Sequence, residues 1–128
     1  MGSSASISKK IIIDDLRKFA DLSLDENPIH TDEEYAKSTI FKKPIAHGLY
    51  IGSFISAVLA NKLPGPGTIY LKQELNFKRP VFVGDTITAT VTLLENPKPT
   101  IYRLSTVCTN QENQIVIEGF ALVKKDAT

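Results

Sequence analysis

The apolar positions keep one rhythm before about residue 64 and another after it. Thr86, Thr88, Thr90 and Thr92 alternate with Ile87, Ala89, Val91 and Leu93, the clearest two-residue period in the chain and the signature of a strand with one face on a core. The same period runs through Ile69, Leu71, Leu75 and Phe77, then through residues 102–108 and 115–123. Asn96-Pro97-Lys98-Pro99 and Asn110-Gln111-Glu112-Asn113 supply hairpin turns between the later strands. Such short connections make those strands mainly antiparallel.

The first half reads mainly as helix. Residues 6–13 are expected to open it with a strand ending in the β-branched run Ile11-Ile12-Ile13. Asp14 or Asp15 then caps a short helix carrying Leu16, Phe19, Ala20 and Leu22 at helical spacing. Thr31 and Glu34 have the spacing of a capping box, which starts another short helix just after His30. Residues 49–63 form the one long helix, apolar almost all round and so expected to be buried. Gly52, Ser56 and Ala60 recur along it every four residues, a stripe that lets a curling sheet approach closely, and Pro64-Gly65-Pro66-Gly67 ends it. The expected architecture is α+β, one antiparallel sheet wrapped around a long central helix. Residues 1–10 are read as a flexible leader and the start of the first strand, and residues 11–128 as a single domain.

Composition narrows the partners more than the fold. The chain has 128 residues and a formal charge of +1, with basic residues spread along it and the lysine runs at 9–10, 42–43 and 124–125 no longer than pairs. That balance gives no global pull towards nucleic acid or a membrane surface, and no apolar run is long enough to span a bilayer. The single Cys108 excludes an intrachain disulfide and a thiolate metal cluster, and is read as a buried, inert thiol. With two histidines and no cysteine partner, no metal site is expected. A reducing compartment suits this usage: the cytoplasm, or an organelle lumen in a eukaryote. Met1-Gly2-Ser3-Ser4-Ala5-Ser6 fits the short myristoylation pattern, but reads more simply as a leader, and no secretory signal is visible.

Candidate chemistry concentrates in Asp25-Glu26-Asn27-Pro28-Ile29-His30 and in Pro44-Ile45-Ala46-His47-Gly48. Pro28 fixes its own φ and pushes Asn27 towards an extended conformation, so Asp25 and His30 cannot share one helical face. A bent loop presenting one carboxylate and one imidazole to a common point is an acid/base arrangement. Asp25 alone would more simply bond its own turn, and His47 is expected to orient the loop by a hydrogen bond. Ser56 could equally bond back to a helix carbonyl or line a site.

Asp25-x-Asn27-Pro28-Ile29-His30-x-Asp32 followed by Pro44-x-x-His47-Gly48 resembles the MaoC-like (R)-specific enoyl-CoA hydratases, the hydratase-2 group of the hot-dog fold. The run Leu75 to Asp85 looks like the same family's strand and turn, and the resemblance covers essentially everything after Ile11. Relatives often carry glycine where this chain has Leu24. The resemblance implies that Asp25 and His30 form the catalytic dyad and that the Gly48 amide binds the thioester carbonyl. It also implies that Ser56 lines the active site and that Asn27 supports the dyad. The implied reaction is reversible hydration of a trans-2-enoyl-CoA to the (R)-3-hydroxyacyl-CoA, possible without a cofactor because CoA or pantetheine belongs to the substrate. The implied assembly is a homodimer whose two sheets join. Dehydration of an (R)-3-hydroxyacyl-carrier protein is the alternative within the fold. A hot-dog thioesterase or a non-catalytic acyl-thioester-binding domain are the alternatives outside this chemistry.

Overall fold

The structure is a computed structural model and describes residues 2–126. Met1 of the leader and the last two residues of the expected domain lie outside the described residues. The elements are β1 (Ser4–Lys10), α1 (Ile13–Ser23), α2 (Pro28–Thr31), α3 (Glu33–Lys37), α4 (Gly48–Asn61), β2 (Ile69–Phe77), β3 (Thr86–Lys98), β4 (Ile101–Thr109) and β5 (Ile115–Lys124). All strands join one antiparallel sheet in the order β1-β3-β4-β5-β2. Its concave face closes on α4. Ile51, Ile55, Val58 and Leu59 of the helix share one core with Ile87, Ala89 and Val91 of β3, Leu104 and Cys108 of β4, and Ala121 and Val123 of β5. Fully burying each large aliphatic side chain contributes about 1.5–3 kcal/mol, so this seam is what keeps the helix in the sheet.

The threonine face of β3 turns away from the core, as its period requires. Ser8 and Ser4 hydroxyls reach Thr88 and Thr92 across the β1–β3 pair at 2.7 and 3.3 Å. Cys108 is buried beneath α4 with its Sγ 4.0 Å from the Ile51 carbonyl, and burial pushes its thiol up to about 12. Gly119 sits where β5 meets the β2 backbone: an added Cβ would strike the Glu74 carbonyl, so glycine is what allows this approach. No helix among the described residues is long and apolar enough to cross a membrane.

Several boundaries differ from the sequence expectations. The first strand is Ser4–Lys10, not 6–13, so most of the expected leader is paired along β3. Ile11 leaves the sheet to enter the core, and α1 begins at Ile13 after Ile12, without a side-chain cap. Asp14 and Asp15 lie in its first turn, where carboxylates favour the positive end of the helix. Thr31 does not cap α3, because it is already the last residue of α2. Asp32 takes that place and accepts from Tyr35 N–H at 3.0 Å. The long helix runs from Gly48 to Asn61, and it is not buried all round: Leu49, Ser53 and Ala60 are exposed. Of the small-residue stripe, Gly52 makes the close approach, its Cβ position lying 3.1 Å from Leu75. Finally, Asn96-Pro97-Lys98 extends β3 and the turn falls at Pro99 and Thr100. β1 registers with β3 only as far as Thr92, so Pro97 stands where one flank of β3 is unpaired and its missing donor costs no ladder bond.

Candidate active site

Three side-chain-to-backbone turns lead the chain from α1 into α2. Ser23 Oγ accepts from Asp25 N–H at 3.2 Å, Asp25 Oδ1 from Asn27 N–H at 3.3 Å, and Asn27 Oδ1 from Ile29 N–H at 3.4 Å. Asn27 is thereby the N-cap of α2, and Pro28 takes the first helical position, where its missing N–H costs nothing. This places His30 in the middle of a single pinned turn.

His30 is only 9 % exposed and its Nδ1 lies 2.7 Å from the Ile45 carbonyl. A carbonyl can only accept, so Nδ1 carries the hydrogen and the neutral ring keeps Nε2 for other work. The Ile45 carbonyl is itself held in place. Ile45 N–H donates to Ile29 O at 3.2 Å, Ala46 N–H to Val81 O at 2.7 Å, and Val83 N–H to Pro44 O at 3.3 Å. Asp85 Oδ2 accepts from Phe82 N–H at 2.9 Å and closes the loop beyond.

His47 occupies the N-cap position of α4 but does not cap it. Its Nε2–H donates to the Asp25 backbone carbonyl at 3.1 Å, and its ring stacks on His30 with centroids 3.9 Å apart and planes inclined by 27°. Phe19 packs against it at 4.8 Å. Burial, opposed in part by the bond to Asp25 and reinforced by the nearby His30, holds its pKa below 6.5, so the ring is neutral near pH 7. Its Nδ1 is buried and has no hydrogen-bond partner among the described residues.

Asp25, His30 and His47 each bring one nitrogen or carboxylate oxygen to within 4.8 Å of the others. Two nitrogens in this trio already serve carbonyls, and imidazole lone pairs lie in the ring plane. Stacked, nearly parallel rings therefore do not converge on a cation as tetrahedral ligands would. The arrangement suits a shared water between Asp25 and His30 better than an ion.

Beside the pair opens a pocket of about 420 Å³ lined by His30, Gly48, Ile51, Phe77, Arg79 and Val81, among others. Gly48 is the first residue of α4, so its N–H has no acceptor within the helix and stands at the positive end of the helix dipole. An added Cβ at Gly48 would lie 2.6 Å from the Phe77 ring, which would have to shift to admit it. Asp25, Asn27, His30, His47 and Gly48 are thus gathered at one end of α4. Ser56 is not: it is half-buried two helical turns further on, about 12 Å along the axis, and does not line this pocket. The opposite wall, Phe77, Lys78, Arg79 and Pro80, was unsuspected as lining; its signal is a basic pair directly between a strand and a proline.

Residues 3–115 match the family described as MaoC like domain. The chain belongs to the MaoC-like family. Among its relatives, an (R)-specific enoyl-CoA hydratase of Rhodospirillum rubrum is 50 % identical over 95 % of this chain and 85 % of its own. One of the same name from Aeromonas caviae is 44 % identical over 97 % and 93 %. The solved R-hydratase of Pseudomonas aeruginosa, in its unliganded form, superposes with a TM-score of 0.97 at 41 % identity, covering 100 % of this chain and 83 % of that one. The hot-dog fold of this MaoC-like chain is therefore secure, and with it the expected α+β class.

Leu24, immediately before Asp25, adopts φ +70° and ψ 8°, a left-handed conformation in which a side chain costs ~1–2 kcal/mol. It is 84 % exposed, so it has little packing to lose. Leu24→Gly is expected to raise the thermal midpoint by a few degrees, the relief of strain exceeding the ~0.4–1 kcal/mol of added unfolded-state entropy. An unchanged or lower midpoint in a thermal melt would contradict a strained turn here.

Proposed function

We propose that this chain hydrates trans-2-enoyl-CoA to (R)-3-hydroxyacyl-CoA, with Asp25 and His30 as the pair that handles the water. The observation that carries the reading is their meeting beside a pocket that also holds the Gly48 amide. The water oxygen bonds to the β-carbon, one of its protons passes to the pair, and the pair returns a proton to the α-carbon. The atoms of one water are all accounted for, so the balance closes without a further cofactor. As the α-carbon accepts its proton, charge that has gathered on the thioester oxygen returns to the carbonyl. Until then it rests on Gly48 N–H, a donor of the kind whose loss costs roughly 3 kcal/mol at a transition state. Asn27 caps the turn beneath His30, and His47 fixes the Asp25 backbone. Ser56, outside this pocket, takes no part in the step.

The assay follows crotonyl-CoA by enoyl absorbance and by free thiol together. Hydration consumes the enoyl signal without releasing thiol; thiol release would instead identify a thioesterase. Asp25→Asn and His30→Ala should each lower kcat/KM by about 10²-fold or more, the scale of positioned acid–base catalysis. Retention of near-normal turnover by both variants, with thermal midpoints close to the parent, would remove the dyad from the mechanism.

The same reading takes the assembly to be a homodimer joined through β2. That strand closes one edge of the sheet and exposes Ile69, Leu71 and Phe77. The opposite edge is blunted, since Lys62 Nζ donates to the Ser6 carbonyl of β1 at 2.7 Å. Sedimentation equilibrium should give twice the chain mass; the mass of one chain at micromolar concentration would contradict the dimer.

A further inference from the structure

Arg79 stands at a junction. It lines the pocket with His30 and Gly48, and it also lines two open grooves that adjoin it. The larger groove, about 640 Å³, runs between Lys78 and Arg79 on one side and Asn113, Gln114 and Ile115 on the other, with Glu118 at its edge. The smaller, about 300 Å³, is bordered by Asp85 and Glu112. Counting formal charges on the lining residues, the larger groove has two cations and one carboxylate, while the smaller has one cation and two carboxylates. A polyanion leaving the pocket past Arg79 is therefore drawn into the larger groove and repelled from the smaller.

The two cations of that wall are not equivalent. Lys78 Nζ is held 3.6 Å from Glu118, whereas Arg79 forms no ion pair among the described residues. Their backbones are tied to β5 through bonds to the Val116 carbonyl at 2.8 and 3.4 Å, so the guanidinium projects from a fixed base. A planar guanidinium offers paired donors that match phosphate oxygens, and its loss from such a contact is costly. Asn113 and Gln114 add amides along the same groove.

We infer that Arg79 binds a phosphate of the thioester's carrier, and that the groove between Lys78–Arg79 and Asn113–Ile115 receives the nucleotide end of an acyl-CoA. This rests on the hydratase reading above and deepens it: Arg79 is the residue by which the site tells CoA from bare pantetheine. It touches the carrier and not the reacting carbons, so its signature is in the choice of carrier.

The test compares kcat/KM for crotonyl-CoA, crotonyl-3′-dephospho-CoA and crotonyl-pantetheine in the parent chain and in Arg79→Gln. The parent should prefer crotonyl-CoA over crotonyl-pantetheine, and Arg79→Gln should shrink that preference by roughly tenfold or more, mainly through KM for the CoA ester. Arg79→Glu should shrink it further. If the effect is already lost with the dephospho substrate, the 3′-phosphate is the partner; if it persists there, the diphosphate is. A CoA-to-pantetheine ratio unchanged by both variants would overturn the inference while leaving the hydratase reading intact. Turnover of neither ester by the parent would overturn both.

Discussion

The hydrogen bond from His47 Nε2–H to the Asp25 carbonyl joins the start of α4 to the turn that follows α1, and the same ring lies flat against His30. One buried imidazole therefore fixes the position of both members of the pair relative to the Gly48 amide, its own neighbour in sequence. The cost is visible in the same ring: Nδ1 is buried without a partner among the described residues, and burial keeps the group neutral. An imidazolium here would carry a second N–H into the same apolar surroundings. The neutral tautomer is the one that can donate to Asp25 while resting on another imidazole.

From that constraint the rest of the site follows. His30 is oriented from its far side by Ile45 O, which is spliced between α2 and the 80–83 loop, so its free Nε2 has little angular choice. Asp25 is held through its backbone on one side and by the chain of Ser23, Asp25 and Asn27 turns on the other. Asp25 itself remains exposed to solvent. α4 presents the Gly48 N–H to the pocket because the sheet clamps its apolar face, and the clamp is tightest where Gly48 and Gly52 admit Phe77 and Leu75. The proposed oxyanion donor and the core packing thus share the first two turns of one helix.

The pattern of residues carried the sheet and the pair well. The threonine alternation in β3 located a strand whose two faces are as different as expected, and the Asp25 to His30 stretch located a carboxylate and an imidazole that come within 4.8 Å of each other. What it carried poorly has physical reasons. Thr31 and Asp32 are both good caps, and only the closure of α2 one residue later decides between them. Pro97 reads as a turn until β1 is seen to stop at Thr92, leaving β3 free of a partner on that side. Leu24 gives no local sign that it must turn left-handed. The wall formed by Phe77 and Arg79 lies about thirty residues from Gly48 in the chain, and only the return of β2 along α4 brings it to the pocket.

The claim on which everything rests is that Asp25 and His30 act on one water as a unit. Residues acting as a unit fail together, so their losses do not multiply. A double-mutant cycle on crotonyl-CoA hydration measures this directly. Asp25→Asn combined with His30→Ala should have kcat/KM within about threefold of the worse single variant. A double variant whose loss equals the product of the two single losses would show two independent groups, and would contradict it.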